Sequence, residues 1–258
     1  MLADADDDRE LTRLRHLEAV ADPLTIQRLN ATAVGPGWRC LEIGAGAGSI
    51  ARWLGEAVGP SGSVVACDIN PRYLSGARPN VEVRRHDVTQ DDLESEAYDL
   101  VHARALLQHL PDPLACLARM VAAVAPGGWL VVEEGDFGTL DLAGPADAAK
   151  ATAVFQDAMS RMTAASIMHA NFGRSVPGLV YALEWERFGA DSRTVIARPD
   201  EPAYESVRLA WPGARRAALA LGLDEADLKC VDDVLESSTT LMVHVTMFGA
   251  WARKRRGG

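Results

Sequence analysis

The chain has 258 residues, 48% of them apolar and 24% charged, enough apolar material for one large domain or two small ones. Its formal net charge of −10 speaks against a nucleic-acid partner, which asks for a basic face. Acids stand at the start where a signal peptide needs basic residues, and no apolar run approaches the roughly 18 residues that span a membrane, so a cytoplasmic protein with no membrane partner is expected.

In chain order, "LTRLRHLEAVADPLTIQRLN" reads as one or two amphipathic helices, Leu11 to Asn30, closed by "GPG" at Gly35 to Gly37. "WRCLEIG" is a buried strand and "SIARWLGEAV" a helix stopped by Gly59-Pro60. "SGSVVACDIN" holds a second strand, "PRYLSGA" starts a helix with its proline early, and "VEVRRHD" and "YDLVHAR" are the third and fourth strands. "DPLACLARMVAAVAPGG" is a helix with Asp112 as N-cap and Pro113 at its first position, and "WLVVEEGD" is the fifth strand. Strands alternating with helices imply an α/β fold, a parallel sheet with helices on both faces. Residues 145 to 183 then read as helical, "WERFGADSRTVIAR" as a strand, residues 202 to 236 as helical and "TLMVHVTMFGAWAR" as a long last strand. No linker interrupts the chain. One domain is expected: N-terminal helices over 1–36, a core over 37–136, and helical insertions over 137–185 and 200–238.

Ligands of such sheets bind beyond the carboxyl ends of the strands, where strand order reverses. "CLEIGAGAGSIARWL" sets Gly44, Gly46 and Gly48 between a strand and a helix, and glycine lets the backbone turn sharply and a ligand come close. A tight turn with close helix packing would use the same residues. The spacing is G-x-G-x-G rather than the dinucleotide G-x-G-x-x-G, whose last glycine would fall at Ser49. Glu42 just before the turn opposes a pyrophosphate and suits a ligand with a positive ammonium or sulfonium. Asp68 closes strand two, where a carboxylate accepts the two hydroxyls of a ribose. Asp87 closes strand three, beside the Val88 N–H, where an adenine edge would lie. Three acids on successive strands outline a nucleoside with a cationic tail.

"LEIGAGAGSIARWL", "VVACDINPRYL", "RRHDV", "YDLVHARALLQHLPDP" and "APGGWLVVEEGDF", in this order and spacing, resemble the class I S-adenosylmethionine-dependent methyltransferases over about residues 24 to 136. "LEAVADPLTIQRL" also resembles the N-terminal helix of an actinobacterial small-molecule group. The resemblance implies a Rossmann-like sheet of seven strands, the last antiparallel, and S-adenosyl-L-methionine as cofactor. By position it sets Gly44, Gly46 and Gly48 under the methionine part, with Glu42 behind the turn. Asp68 takes the ribose, Ile69 and Asn70 flank the adenosine, Asp87 and Val88 meet the adenine, and Ala103 and Arg104 lie near the methionine tail.

Methyl transfer is an in-line displacement at a sulfonium, so the protein supplies orientation and, for a hydroxyl acceptor, a base. Of six histidines, His16 reads as surface, His86 as shaping the turn before Asp87, and His102 and His244 as strand residues of the core or edge. His109, in "LLQHLPDP", faces the catalytic end. Sugar O-methyltransferases of antibiotic pathways look similar here, with a catalytic histidine and an acid at the end of strand five, which corresponds to Glu134 with Asp136 close behind. Helix packing is the other use of His109. Phe155, Met159, Met162, Ser166 and His169 form one helical stripe; it reads either as core packing or as a lid, with Phe155, Met159, Met162 and His169 then lining an acceptor pocket.

The expected function is therefore methyl transfer to a small-molecule, secondary-metabolite-like acceptor, oxygen favoured over nitrogen or carbon. The alternatives are a protein of this fold that binds the cofactor for a non-methylating reaction or a binding role, and an NAD-dependent oxidoreductase, against which the glycine spacing and Glu42 argue. Cys40, Cys67, Cys116 and Cys230 form no C-x-x-C pair, and no metal site of recognisable spacing is present. A homodimer is left open.

Overall fold

The computed structural model describes residues 8–74, 78–183 and 185–256. Its first element is a single long helix, α1 (Asp8–Ala31), with Pro23 inside it. Strand β1 (Arg39–Ile43), helix α2 (Ser49–Ala57), and strands β2 (Ser63–Asp68), β3 (Val81–Arg85) and β4 (Tyr98–Arg104) follow. The helix expected after β2 is a single 3-10 turn, Pro71–Tyr73, with residues 75–77 outside the described part. Helix α3 (Pro113–Ala123) starts as its sequence dictates: the Asp112 carboxylate accepts the Ala115 N–H at 2.9 Å and Pro113 occupies the first turn. Strand β5 (Val124–Asp136) and the short β6 (Asp141–Ala143) come next, then α4 (Ala148–Ala164) and α5 (Val176–Tyr181). The chain ends with β7 (Arg187–Arg193), β8 (Ile196–Ala197), α6 (Pro202–Ala220), α7 (Glu225–Leu235), β9 (Leu241–Val243) and β10 (Thr246–Arg253).

Seven strands form one sheet in the order β3-β2-β1-β4-β5-β10-β7. The pairings from β3 to β5 are parallel, and β10 runs antiparallel to both of its neighbours. Side chains alternate across a strand, and a parallel sheet is buried on both faces, which is why these strands are near-continuous apolar runs. Cys40, Val64, Ala66, Leu100 and Val131 pack with Leu29 of α1 and Ile50 and Leu54 of α2. Their sequence neighbours Leu41, Val65, Val101, Leu130 and Val132 pack on the other face, with Cys116 and Met120 of α3 and Val176 and Val180 of α5. A third cluster joins α4, α6 and α7 through Phe155, Met162, Trp211, Leu228 and Val231.

The two late strands expected from the sequence are each divided in two. β7 pairs β10 in the main sheet, while β8 pairs β9 in a second sheet of order β6-β9-β8. The two pairs are ends of one antiparallel ribbon that turns a corner at Thr194–Val195 and His244–Val245. The His244 N–H still donates to Val195 O across the corner at 2.9 Å, and the Thr194 and Thr246 hydroxyls meet at 2.6 Å. Among the described residues no helix is long and apolar enough to cross a membrane.

Candidate active site

Strand order reverses between β1 and β4, and the glycine turn sits at the carboxyl end of β1. Gly44, Gly46 and Gly48 have φ of 72°, 56° and 83°. Side chains with a Cβ are strained there by about 1–2 kcal/mol each, which explains the residue type three times over. The turn is fastened to β2, because the Gly44 and Ala45 N–H groups donate to Cys67 O at 2.8 and 3.0 Å. Asp68 fixes its far side, accepting from Gly46 N at 2.9 Å and from Asn70 N at 2.8 Å. Burial pushes the Asp68 carboxyl upward, and these N–H donors pull against it. The carboxylate keeps lone-pair room for a further donor.

A cavity of about 330 Å³ opens from this turn. Its polar half is walled by Glu42, Gly44 to Ala47, Asp68 and Arg104, and its apolar half by Phe155, Met159, Met162, Met168 and Trp211. Helix α1 closes one side with Glu10, Arg13, Leu14, Leu17 and Glu18. Glu18 also accepts the Ser49 N–H, an open donor in the first turn of α2, at 3.0 Å, and Asp22 holds the Ser49 hydroxyl at 3.0 Å and Arg104 at 2.9 Å.

Behind the polar half lies a buried row of charge. Glu42 and His102 are register partners on β1 and β4, and Glu42 Oε2 lies 2.6 Å from His102 Nδ1. His102 Nε2 faces Glu133 Oε1 at 3.5 Å, an ion pair rather than a hydrogen bond. Burial pulls the His102 imidazole down, but the two carboxylates outweigh it and raise it to about 9. Glu133 Oε2 also accepts from Arg28 at 2.7 Å and from the Thr25 hydroxyl at 2.9 Å, and the buried Arg28 guanidinium pairs with Asp191 as well. Burial would raise the Glu133 carboxyl, yet His102, Arg28 and Arg104 hold it down at about 2.

Three comparisons with known proteins bear on this geometry. A family model described as a methyltransferase domain matches residues 8–171. "Methyltransferase str2" of Strobilurus tenacellus is 37% identical over 102 residues, 38% of this chain and 36% of that protein. "Ubiquinone biosynthesis O-methyltransferase" of Xanthomonas campestris pv. campestris is 31% identical over 118 residues, 42% of this chain and 48% of that protein. The matched stretch thus spans less than half the length of these curated relatives. Among solved structures, Haemonchus contortus phosphoethanolamine N-methyltransferase 2 in complex with S-adenosyl-L-methionine is similar in fold, with a TM-score of 0.52 and 15% identity over 86% of this chain and 50% of that one.

The chain belongs to the class I S-adenosylmethionine-dependent methyltransferases. The residues of this methyltransferase fit that cofactor: a turn with no Cβ at its three left-handed positions, a strand-end carboxylate with open lone pairs, and a second carboxylate, Glu42, on the cavity wall.

Of the residues expected at the site, Glu42, Gly44, Gly46, Asp68, Arg104, His109, Phe155, Met159 and Met162 share the cavity wall. Gly48 lies behind the turn, where a Cβ would come within 2.8 Å of Leu74. Ile69, Asn70, Asp87, Val88 and Ala103 do not line the cavity: Ile69 is 60% exposed, Val88 and Ala103 are core, and the Asp87 carboxylate holds Thr89 and Gln90 of its own turn. His169 is also off the wall, its ring packed near Phe172.

Glu134 corrects a sequence expectation. Neighbours on a strand point to opposite faces, so Glu133 joins the charge row while Glu134 turns away from it. Glu134 accepts the backbone N–H groups of Leu106, Leu107 and Gln108 at 3.1, 2.7 and 3.4 Å, and burial pushes its carboxyl up to about 7 against those donors. It holds the turn Leu107–His109 in place and touches neither the His109 ring nor the cavity. His109 itself borders the cavity and is exposed there; partial enclosure by the fold, with Arg13 nearby, pushes the imidazole downward. The Gln108 side-chain amide donates to His109 Nε2 at 3.2 Å, while Gln108 Oε1 accepts from Gly135 N at 3.1 Å. His109 is therefore a neutral ring whose Nε2 lone pair is already occupied, with its proton on Nδ1.

The sequence reading missed the α1 wall, Gln108, Trp211, Ser206 and His244. Only α1 carried a usable signal, since Glu10, Leu14, Leu17 and Glu18 follow helical spacing on one face.

Proposed function

We propose that this methyltransferase moves the methyl group of S-adenosylmethionine onto an oxygen of an apolar small molecule of the secondary-metabolite kind. The observation that carries the reading is a single cavity shared by the glycine turn with Asp68 and by an apolar wall of Phe155, Met159, Met162, Met168 and Trp211. Glu42 and Asp68 suit the sulfonium and ribose, and methionine walls adapt to an irregular acceptor. Among the described residues the apolar wall carries no carboxylate to hold an ammonium, Glu10 and Glu18 standing on the α1 side, which favours a hydroxyl over a charged amine at that wall. The O-methyltransferase among the relatives agrees with this preference. His109 positions the acceptor oxygen by donating from Nδ1, and a neutral ring requires no proton to leave before it does so.

Calorimetry is expected to show binding of S-adenosylmethionine and S-adenosylhomocysteine and none of NADH. Incubation with methyl-labelled cofactor and a panel of phenols, alcohols and amines is expected to give labelled ethers. Tight NADH binding without a response to the sulfur compounds, or label found only on nitrogen or carbon, would overturn the proposal.

A further inference from the structure

Beside the apolar wall of the cavity stands a polar pair that the reading above does not use. Ser206 of α6 and His244, at the corner between β9 and β10, both line it, and both are more than nine-tenths buried. His244 Nδ1 lies 3.0 Å from Val245 O, and a carbonyl only accepts, so the proton sits on Nδ1 and Nε2 carries a lone pair. Nε2 faces the Ser206 hydroxyl at 3.3 Å. That hydroxyl has one proton and two acceptors within reach, and the nearer is Ala203 O at 2.8 Å. The Ser206 proton serves one acceptor at a time: when it goes to Ala203 O, the nearer of the two, the Nε2 lone pair stands beside the cavity open to a donor from a ligand. Protonating the imidazole would fill the gap from within, but burial pushes His244 down from the ordinary histidine range, so the ring stays neutral at pH 7.

A buried acceptor without a donor is costly, and a ligand that brings the donor removes that cost. We propose that His244 is the hydroxyl-binding residue of the acceptor site, taking the O–H of an otherwise apolar alcohol or phenol at Nε2. The assignment rests on the methyltransferase reading above and deepens it by naming what selects the acceptor. His109 is the less suitable taker of that proton, because Gln108 already donates to its Nε2. The two histidines stand on adjoining stretches of wall: Gln108 bonds Gly135, and a Cβ on Gly135 would come within 3.0 Å of Val245. A hydroxyl held at His244 is thus presented in the same cavity as the glycine turn, with a neutral imidazole poised to take its proton.

The test compares 2-naphthol with naphthalene by calorimetry, on the protein alone and with S-adenosylhomocysteine bound. Wild type is expected to prefer naphthol by about tenfold, the effect of one buried hydrogen bond. Ser206→Ala is expected to keep that preference, since Ser206 donates elsewhere, and His244→Phe to reduce it below about twofold. S-adenosylhomocysteine binding at wild-type affinity certifies the fold of each variant, and His244→Leu replaces the phenylalanine if that side chain does not fit. Long-range proton–nitrogen NMR of the wild type reads the same event without a substitution: one bare imidazole Nε2 signal moves upfield with naphthol and stays in place with naphthalene. Equal affinity for the two probes, failure of both to bind, or a preference that survives His244→Phe would overturn the assignment. Failure of S-adenosylhomocysteine alone would instead count against the methyltransferase reading.

Discussion

Replacing His102 by glutamine removes the cation between Glu42 and Glu133 while keeping an amide that can still donate to Glu42. In the wild type His102 is raised to about 9, whereas a histidine of the unfolded chain titrates near its ordinary ~6.5. Between those values the folded protein holds a proton that the unfolded chain has released. Stability is therefore full below about pH 6.5 and falls by about 1.4 kcal/mol per pH unit as pH rises toward 9. Glu134, pushed up to about 7, has finished its own contribution by then. The buried thiols Cys40 and Cys67, pushed upward by burial, add theirs only as unfolded thiols ionise, near their ordinary ~8.5. Most of the change from pH 7 to 9 thus belongs to His102 and amounts to about 2 kcal/mol, a sizeable part of a domain's stability. Urea unfolding followed by circular dichroism at pH 7, 8 and 9 measures it. The wild type is expected to lose that amount across the span, and His102→Gln to start lower at pH 7 and to lose less than half as much. A level wild type, or a variant with the same slope, would refute the charge row as described.

Gly249 of β10 lies directly beneath the buried guanidinium, and a Cβ there would come within 2.2 Å of Arg28 Cζ. Gly249→Ala should therefore cost about 3 kcal/mol in urea unfolding, as should Arg28→Met by taking the guanidinium away from Glu133 and Asp191, and the double variant should fall well short of the sum; a loss under about 1 kcal/mol would count against the contact. Asp68→Asn should weaken S-adenosylhomocysteine binding by roughly tenfold or more, because charge-assisted bonds to the ribose are lost, and an unchanged dissociation constant would place the ribose elsewhere. His109→Ala should lower turnover of an identified acceptor by about 10²-fold through lost positioning. That loss should be the same at pH 7.5 and pH 9, since the ring is pushed below the ordinary histidine range and stays neutral between them; a loss that grows or shrinks with a midpoint between them would show a titrating base instead.

Local pattern carried the parallel sheet, the left-handed glycine turn, the Asp112 cap and the strand-end acid Asp68, because each depends on spacing of a few residues. The methyltransferase family was legible for the same reason: its motifs lie at strand ends, where neighbours in sequence remain neighbours in space. What lay beyond reach depends on contacts between distant segments. The run "EEGD" does not say which acid faces which side, and only the pleat of β5 sends Glu133 into the charge row and Glu134 to the His109 turn. Arg28 reads as one more charge on an amphipathic helix, yet it is fully buried because β5 and β7 bring carboxylates to it and Gly249 leaves it room. "LMVHVTMFG" is a continuous strand by periodicity; pairing with β8 and β7 in different sheets bends it at His244 and delivers that side chain to the cavity. The glycine turn and Asp68 were readable along the chain because their bonds join short, neighbouring segments. Tertiary structure alone decided the acceptor side and the buried charges, because there a residue's surroundings are set by elements up to 219 positions away along the chain.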